Sequence, residues 1–292
     1  MRKLIINADD FGFNREITDA ILECHELGTV TSTTMMANMP AFEYAVEKAK
    51  SLPDLSVGIH LNITLGRPVA PPNKVSDLLD ADGYFLDQGI MFKKGNRFLL
   101  PSDQVKREFT AQIEKFLASG LTPSHCDTHH HIGATLQPFI IKLNILKKFG
   151  IMRIRTHRSF FHSDRLHDKR GQLFLQAFKQ NVKTLPIRIA YELEHFYSKL
   201  NSFKLTDARF SLPRIISSPP LEYNIQGWDI FISNLPEGLI ETTVHPAKPN
   251  EDPMDRKEYR DHRVVEYQLL SNPEVLKIIK KNRIELINFN QI

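Results

Sequence analysis

Two adjacent acids, Asp9 and Asp10, stand where a short apolar run ends, in Asn7-Ala8-Asp9-Asp10-Phe11-Gly12. Histidines follow far downstream: His60 in Gly58-Ile59-His60-Leu61, the run His125-Cys126-Asp127-Thr128-His129-His130-His131, and His245 in Thr243-Val244-His245-Pro246-Ala247. Acids and imidazoles converging from separate segments are what metal-assisted hydrolysis requires. A divalent ion held by two imidazoles and a carboxylate keeps an open position, where a carbonyl is polarised and the pKa of bound water falls toward ~7. A free carboxylate beside it takes the water's proton, and a histidine on the other side protonates a departing amine. Asp10, His60 and His129 suit the ligand role, Asp9 the base and His245 the acid.

Taken singly, each signal has a plainer alternative. Asp9 and Asp10 also suit an Asx turn or a helix cap, His60 a satisfied core histidine, and His245 a turn held by Pro246. Asp-Phe-Gly invites a protein-kinase reading, but no Gly-rich loop or catalytic-loop motif accompanies it. Adjacent residues of an extended strand point to opposite sides, so a turn must rotate one of the two acids if both serve one site. Strand alternation places His125, Asp127, His129 and His131 on one face. Four such groups are costly to bury unless they bind a metal or share hydrogen bonds. Asp127 is suited to fix the tautomer of a ligating histidine. Arg155 ends the next strand and either binds substrate hydroxyls, orients an acid, or lies on the surface.

The elements that must position these residues alternate. Strands are expected at 3–8, 30–37, 56–61, 124–131 and 151–155, with helices at 16–27, 41–50, 102–120 and 139–149 between them. Ser102 is placed to cap the third of these helices. Residues 64–101, rich in proline and glycine, read as a long irregular loop. From 159 to 223 the pattern becomes mixed, with helices at 172–181 and 188–200, and looks like an insertion in a single catalytic domain spanning 1–292. A strand at 239–245, helices at 263–270 and 274–281, and a strand at 284–289 close the chain. Alternation of this kind predicts a parallel α/β sheet, open or closed, with active residues at the carboxyl ends of its strands; a barrel is favoured.

Composition narrows the class further. With 292 residues, 41% hydrophobic and 25% charged, the chain has material for a full core. The net charge of +4 comes from dispersed lysines and arginines interleaved with acids, which argues against nucleic-acid binding. Two cysteines, Cys24 and Cys126, build neither a disulfide framework nor a four-cysteine zinc site, and a reducing cytoplasm fits best. No run approaches the ~18 apolar residues of a membrane span, and the first residues are too short an apolar run for a signal peptide.

In order and spacing these pieces resemble the YdjC-like carbohydrate deacetylase family, whose members include chitooligosaccharide deacetylases. The matching parts are the Asp9-Asp10 motif, Val30-Thr31-Ser32-Thr33-Thr34, Gly58-Ile59-His60-Leu61, His125 through His131, Arg155, His245-Pro246-Ala247, and Arg263 and Glu266 near the end. The resemblance implies a distorted (β/α) barrel related to polysaccharide deacetylases and one divalent ion on Asp10, His60 and His129. It also implies removal of acetyl groups from N-acetylated amino sugars or short oligosaccharides, and a homodimer. Magnesium is usual for the family, whereas two imidazoles and a carboxylate suit zinc by ligand preference. A metal-dependent phosphoesterase and a non-catalytic carbohydrate-binding protein are the competing readings. The 159–223 segment has no matching motif, so chitooligosaccharide specificity does not carry over.

Overall fold

Parallel strands and helices alternate along the computed structural model, which describes residues 1–159, 170–212 and 221–292. The order is β1 (Arg2–Phe11), α1 (Arg15–Glu26), β2 (Ser32–Met35), α2 (Phe42–Lys50), β3 (Ser56–Leu61), α3 (Gln88–Asn96), α4 (Ser102–Ala118), β4 (Cys126–Thr128) and α5 (Leu136–Lys148). It continues with α6 (Arg170–Leu200), β5 (Ala208–Ser211), α7 (Leu221–Ser233), β6 (Gly238–Val244), α8 (Lys257–Leu270), α9 (Pro273–Lys281) and β7 (Glu285–Leu286). The strands pair in the order β4-β3-β2-β1-β6-β5, with β7 also beside β1. Single parallel bridges join Ile154 to Cys126 and Arg153 to Lys204. The Ile154 N–H donates to the Lys204 carbonyl and the Arg155 N–H to that of Cys126, tying the chain ahead of β5 back to β4. The parallel sheet that the alternation predicts thus curls into a half-barrel, the distorted (β/α) barrel that the resemblance implies.

β1 is central because both of its faces are buried. Leu4, Ile6 and Ala8 join the main core with Ile17, Ile21 and Cys24 of α1. Full burial of an aliphatic side chain contributes roughly 1.5–3 kcal/mol. On the opposite face Ile5 packs with Ile287 and Phe289 in a separate apolar cluster. Above Ile5 the same alternation presents Asn7 and then Asp9. One face of a single strand therefore runs from an apolar floor to the Asp9 carboxylate.

Several expectations need correction. Residues 64–101 are not wholly irregular: they contain 3-10 turns at Pro72–Lys74 and Ser76–Leu78, and α3, whose start is capped by the Asp87 side chain accepting from the Gly89 N–H at 2.8 Å. Gly95 obscures the helical pattern there but is needed, since a Cβ would lie 2.8 Å from Thr135 Oγ1. Ser102 is the first residue of α4 and makes no cap; its hydroxyl accepts from Gln137 Nε2 at 2.8 Å. The strand expected at 151–155 is reduced to its two bridges, and the closing strand to Glu285–Leu286 with a 3-10 turn at Phe289–Gln291. The helices expected at 172–181 and 188–200 are one helix, α6, with Pro186 inside it. β5 and α7 were not anticipated. Of the expected insertion at 159–223, residues 160–169 and 213–220 lie outside the described residues. Among those described, no helix is long and apolar enough to cross a membrane.

Gly58 of β3 is where the barrel is tightest, because a Cβ there would lie 2.6 Å from the His125 ring and 2.7 Å from the His125 carbonyl oxygen. Gly58→Ala is expected to lower stability by about 1–3 kcal/mol through overpacking, read as a lower midpoint in thermal and urea unfolding. An unchanged midpoint would show that the ring is not wedged as described.

Candidate active site

Asp9 and Asp10 both approach His60, and the backbone provides the rotation that this demands. Asp10 has φ 70°, in the left-handed region that non-glycine residues rarely occupy, and the β1–β2 register shifts between Ala8 and Phe11. Unfavourable backbone of this sort persists only where the surroundings hold it. Across the sheet His60 of β3 is in register with Asp127 of β4, so the two side chains project together. The chain then turns sharply. His129 opens a 3-10 turn running to Ala134, and His130 and His131 are both left-handed, with φ 51° and 56°. Strand alternation therefore stops at Thr128, and the expected common face of four residues does not form.

Three ligand atoms meet at the top of the barrel. Asp10 Oδ1 lies 3.0 Å from His129 Nδ1 and 3.4 Å from His60 Nε2, and the two ring nitrogens are 3.3 Å apart. Donors ~2.1 Å from one ion lie about 3.0 Å apart at a right angle and about 3.4 Å apart at the tetrahedral angle, so this triangle has the size an ion's coordination face requires. The remaining contacts agree. His60 Nδ1 lies 2.6 Å from Asp127 Oδ1, which as acceptor fixes the proton on Nδ1 and turns the lone pair of Nε2 into the triangle. His129 is buried, and its Nε2 has no partner among the described residues, so the polar engagement of this ring is with the other two donors. Asp10 offers one oxygen only, because Arg263 Nη2 donates to Oδ2 at 2.5 Å.

A second trio, Asp9, His60 and Asp127, is also close enough to be considered for an ion. Its place is taken by a guanidinium. Arg155 donates to Asp9 Oδ2 and Oδ1 at 2.7 and 2.6 Å, lies 2.6 Å from Asp127 Oδ2, and donates through Nε to Glu241 Oε1 at 2.7 Å. Among the described residues this leaves one trio, Asp10, His60 and His129, free of a guanidinium in its middle. Arg155 is itself buried, which excludes the surface alternative.

Charge follows from these contacts. Burial works against the Asp9 carboxylate, but Arg155 outweighs it and holds the group far below the usual carboxylate range. Burial likewise opposes the Asp10 charge, and Arg263 and then His129 reverse it. At His60 burial favours the neutral ring, yet Asp127, Asp10 and Asp9 together push its pKa up to about 10. Burial also raises Glu241 to about 7 against the pull of Arg155.

His245 follows β6 and stands at the open side, 38% exposed, with Nε2 3.7 Å from Asp9 Oδ2. Its backbone N–H is held by Glu266 Oε2. His131 lies beside Arg209, its Nε2 3.4 Å from Nη1. His125 is the exception among the expected site residues. It stacks on Phe289 at 3.6 Å and pairs with Ser124 Oγ at 2.8 Å, so it belongs to the floor below the site. Three contributors escaped the candidate set. Asn7 Nδ2 donates to Asp9 Oδ1 at 2.9 Å, Thr34 Oγ1 lies 3.1 Å from both His60 Nδ1 and Asp127 Oδ2, and Glu241 completes the Arg155 network. Asn7 and Thr34 lay inside motifs already noted; Glu241, a lone acid in an apolar strand, was the available signal for the third.

Comparison with known proteins places these features in company. The family model described as YdjC-like protein matches residues 3–281. A carbohydrate deacetylase from Clostridium beijerinckii is 31% identical over 99% of this chain and 100% of its own length. One from Enterococcus faecalis is 31% identical over 100% and 98%. A crystal structure from Enterococcus faecalis V583, of a protein assigned to cellobiose-phosphate cleavage, superposes with a TM-score of 0.75 at 28% identity, covering 99% of this chain and 98% of that one.

With its pKa pushed up to about 10, His60 carries a proton near neutrality in the metal-free protein. Ligation requires the free nitrogen lone pair, so zinc uptake at pH 7.5 is expected to release about one proton and to tighten as pH rises. Calorimetry in buffers of differing ionisation enthalpy measures this; release near zero would remove His60 from the ligand set.

Proposed function

The chain belongs to the YdjC-like family, and from that premise we propose that it is a metal-dependent carbohydrate deacetylase, hydrolysing the acetamide of an N-acetylated amino sugar or short oligosaccharide. The observation that carries this reading is the triangle of Asp10 Oδ1, His60 Nε2 and His129 Nδ1 beside a separate acid and histidine, Asp9 and His245, 3.7 Å apart. Relatives at about this similarity carry the name carbohydrate deacetylase.

Asp10, His60 and His129 would hold one divalent ion, and their donor set favours zinc over magnesium. When bound, that ion supplies a Lewis acid for the acetamide carbonyl and makes water more acidic. Asp9, kept ionised by Arg155, accepts the proton of the attacking water. Because Arg155 also makes Asp9 a weak base, the proton passes on to His245, 3.7 Å away, and replaces the one that His245 gives to the leaving nitrogen. His245 protonates the sugar nitrogen as the C–N bond breaks, releasing acetate and the free amine. Asp127 orients His60, and Arg155 orients Asp9. We place the enzyme in the cytoplasm as a single catalytic domain with the 159–223 segment as its insertion.

The same reading includes a homodimer. Ile189, Leu193, Phe196 and Leu200 recur at helical spacing on α6 and are 52–68% exposed, an apolar stripe of the kind that monomers seldom leave open. Phe196→Glu is expected to convert a dimer to a monomer in analytical ultracentrifugation, and an unchanged sedimentation coefficient would dismiss this face.

Acetate release from N-acetylglucosamine oligomers tests the chemistry. Asp9→Asn and His245→Ala are each expected to reduce kcat by about 10²–10⁴-fold while zinc still binds, whereas His129→Ala is expected to lose zinc and activity together. Undiminished release by Asp9→Asn and His129→Ala would sink the mechanism.

A further inference from the structure

The inward face of α6 is not used by the chemistry above, yet it is fastened to the strand segment that carries Arg155. Immediately after Arg155, Thr156 Oγ1 lies 2.9 Å from His195 Nδ1, His157 Nδ1 lies 3.2 Å from Glu194 Oε2, and Arg158 Nε donates to Glu192 Oε1 at 2.8 Å. These rungs bring Tyr191 to the site side, its ring 5.5 Å from that of His157. The His157 ring meets the His131 ring edge-on at 5.9 Å. Beyond His131, Arg209 Nη1 reaches within 3.5 Å of Thr243 Oγ1, two residues before His245. A continuous wall of polar and aromatic side chains therefore leads from the proposed acid to α6.

Two polar atoms of that wall are unsatisfied. Glu194 Oε1 and His131 Nδ1 are buried without a partner among the described residues, and Glu194 is only 6% exposed. Buried groups left in this condition are rare in native structures and call for an unseen partner. Tyr191, His131 and His245 are half-buried and form the rim.

We propose that Tyr191, Glu194 and His131 contact the sugar of the substrate and that α6 thereby sets which sugar is accepted; this rests on the deacetylase reading. A pyranose has a C–H face that packs on an aromatic ring, and hydroxyls that both donate and accept. The wall offers the Tyr191 ring, an acceptor at Glu194 and an imidazole at His131. Burial pushes the Glu194 carboxyl up to about 8, so near neutrality it can donate as well as accept, which suits a sugar hydroxyl.

Binding is measured by calorimetry with the β-1,4-linked trimer of N-acetylglucosamine, in an Asp9→Asn parent loaded with zinc to prevent turnover. Adding Tyr191→Ala or Glu194→Leu is expected to weaken binding about tenfold, whereas Tyr191→Phe, which keeps the ring, stays within about twofold of the parent. Zinc affinity measured alongside reports whether the centre remains folded, since none of these residues is a proposed ligand. Trimer affinity within twofold of the parent in both Tyr191→Ala and Glu194→Leu overturns the proposal. Trimer binding as expected, without acetate release by the wild-type enzyme, removes the deacetylase reading and leaves the sugar wall standing.

Discussion

One guanidinium organises the centre. Arg155 is buried against Asp9, Asp127 and Glu241, and without it three carboxylates would share a dry volume with no compensating charge. Removing one partner of a buried ion pair costs about 3–5 kcal/mol, and here one cation serves three acids. The arrangement also divides their labour. Asp9 and Asp127 are occupied by Arg155, which leaves Asp10 as the carboxylate in the His60–His129 triangle. Asp10 is restrained in turn by Arg263, whose Nε reaches Asp255 Oδ1 at 3.2 Å. Two arginines from distant segments thus hold the neighbouring acids Asp9 and Asp10 apart in separate ion pairs.

Backbone conformation makes that division possible. An extended strand would send Asp9 and Asp10 to opposite faces, and an extended His125–His131 run would have brought four side chains to one face. The chain departs from extended geometry at Asp10 and again at His130 and His131, each with positive φ. The first departure turns Asp10 toward the imidazoles. The second takes His131 out of the expected common face and sets the His130 ring at a tilt against His129, 3.9 Å away, with Nδ1 3.0 Å from Thr64 Oγ1. Positive φ thus occurs at the ends of β1 and β4, as it also does at Phe98, Ser202 and Arg283.

This explains what could be read from the residues alone. Alternating periodicities disclosed the parallel barrel, because a strand buried on both faces, such as β1, writes a continuous apolar run. The positions of Asp9, Asp10, His60, His129 and His245 were legible because each stands at a strand end. The fate of His125 was not. Period-two alternation carries no information about where a strand stops, and β4 stops at Thr128, after three residues. α3 was hidden because Gly89 and Gly95 depress helix propensity, while tertiary contact with Thr135 requires the second of them. Glu241 was overlooked because a lone acid in a strand pattern signals a partner only once that partner, 86 residues away, is in place.

Charge balance suggests why the floor of the barrel is apolar and its top so polar. Ile5, Ile287 and Phe289 close the lower end, and His125 lies against Phe289 with burial holding its pKa down to about 3. A neutral, dry floor keeps the dielectric low beneath Arg155, and low dielectric strengthens every ion pair above it. That strength is useful only if the acids are prevented from neutralising themselves by taking up protons. Glu241, nearest the floor and pushed up to about 7, is the acid closest to that limit. Asp9, two alternations higher on β1 and held by both terminal guanidinium nitrogens, is kept far below the usual carboxylate range. Arg155 therefore acts unequally on its neighbours, keeping Asp9 ionised while burial raises Glu241.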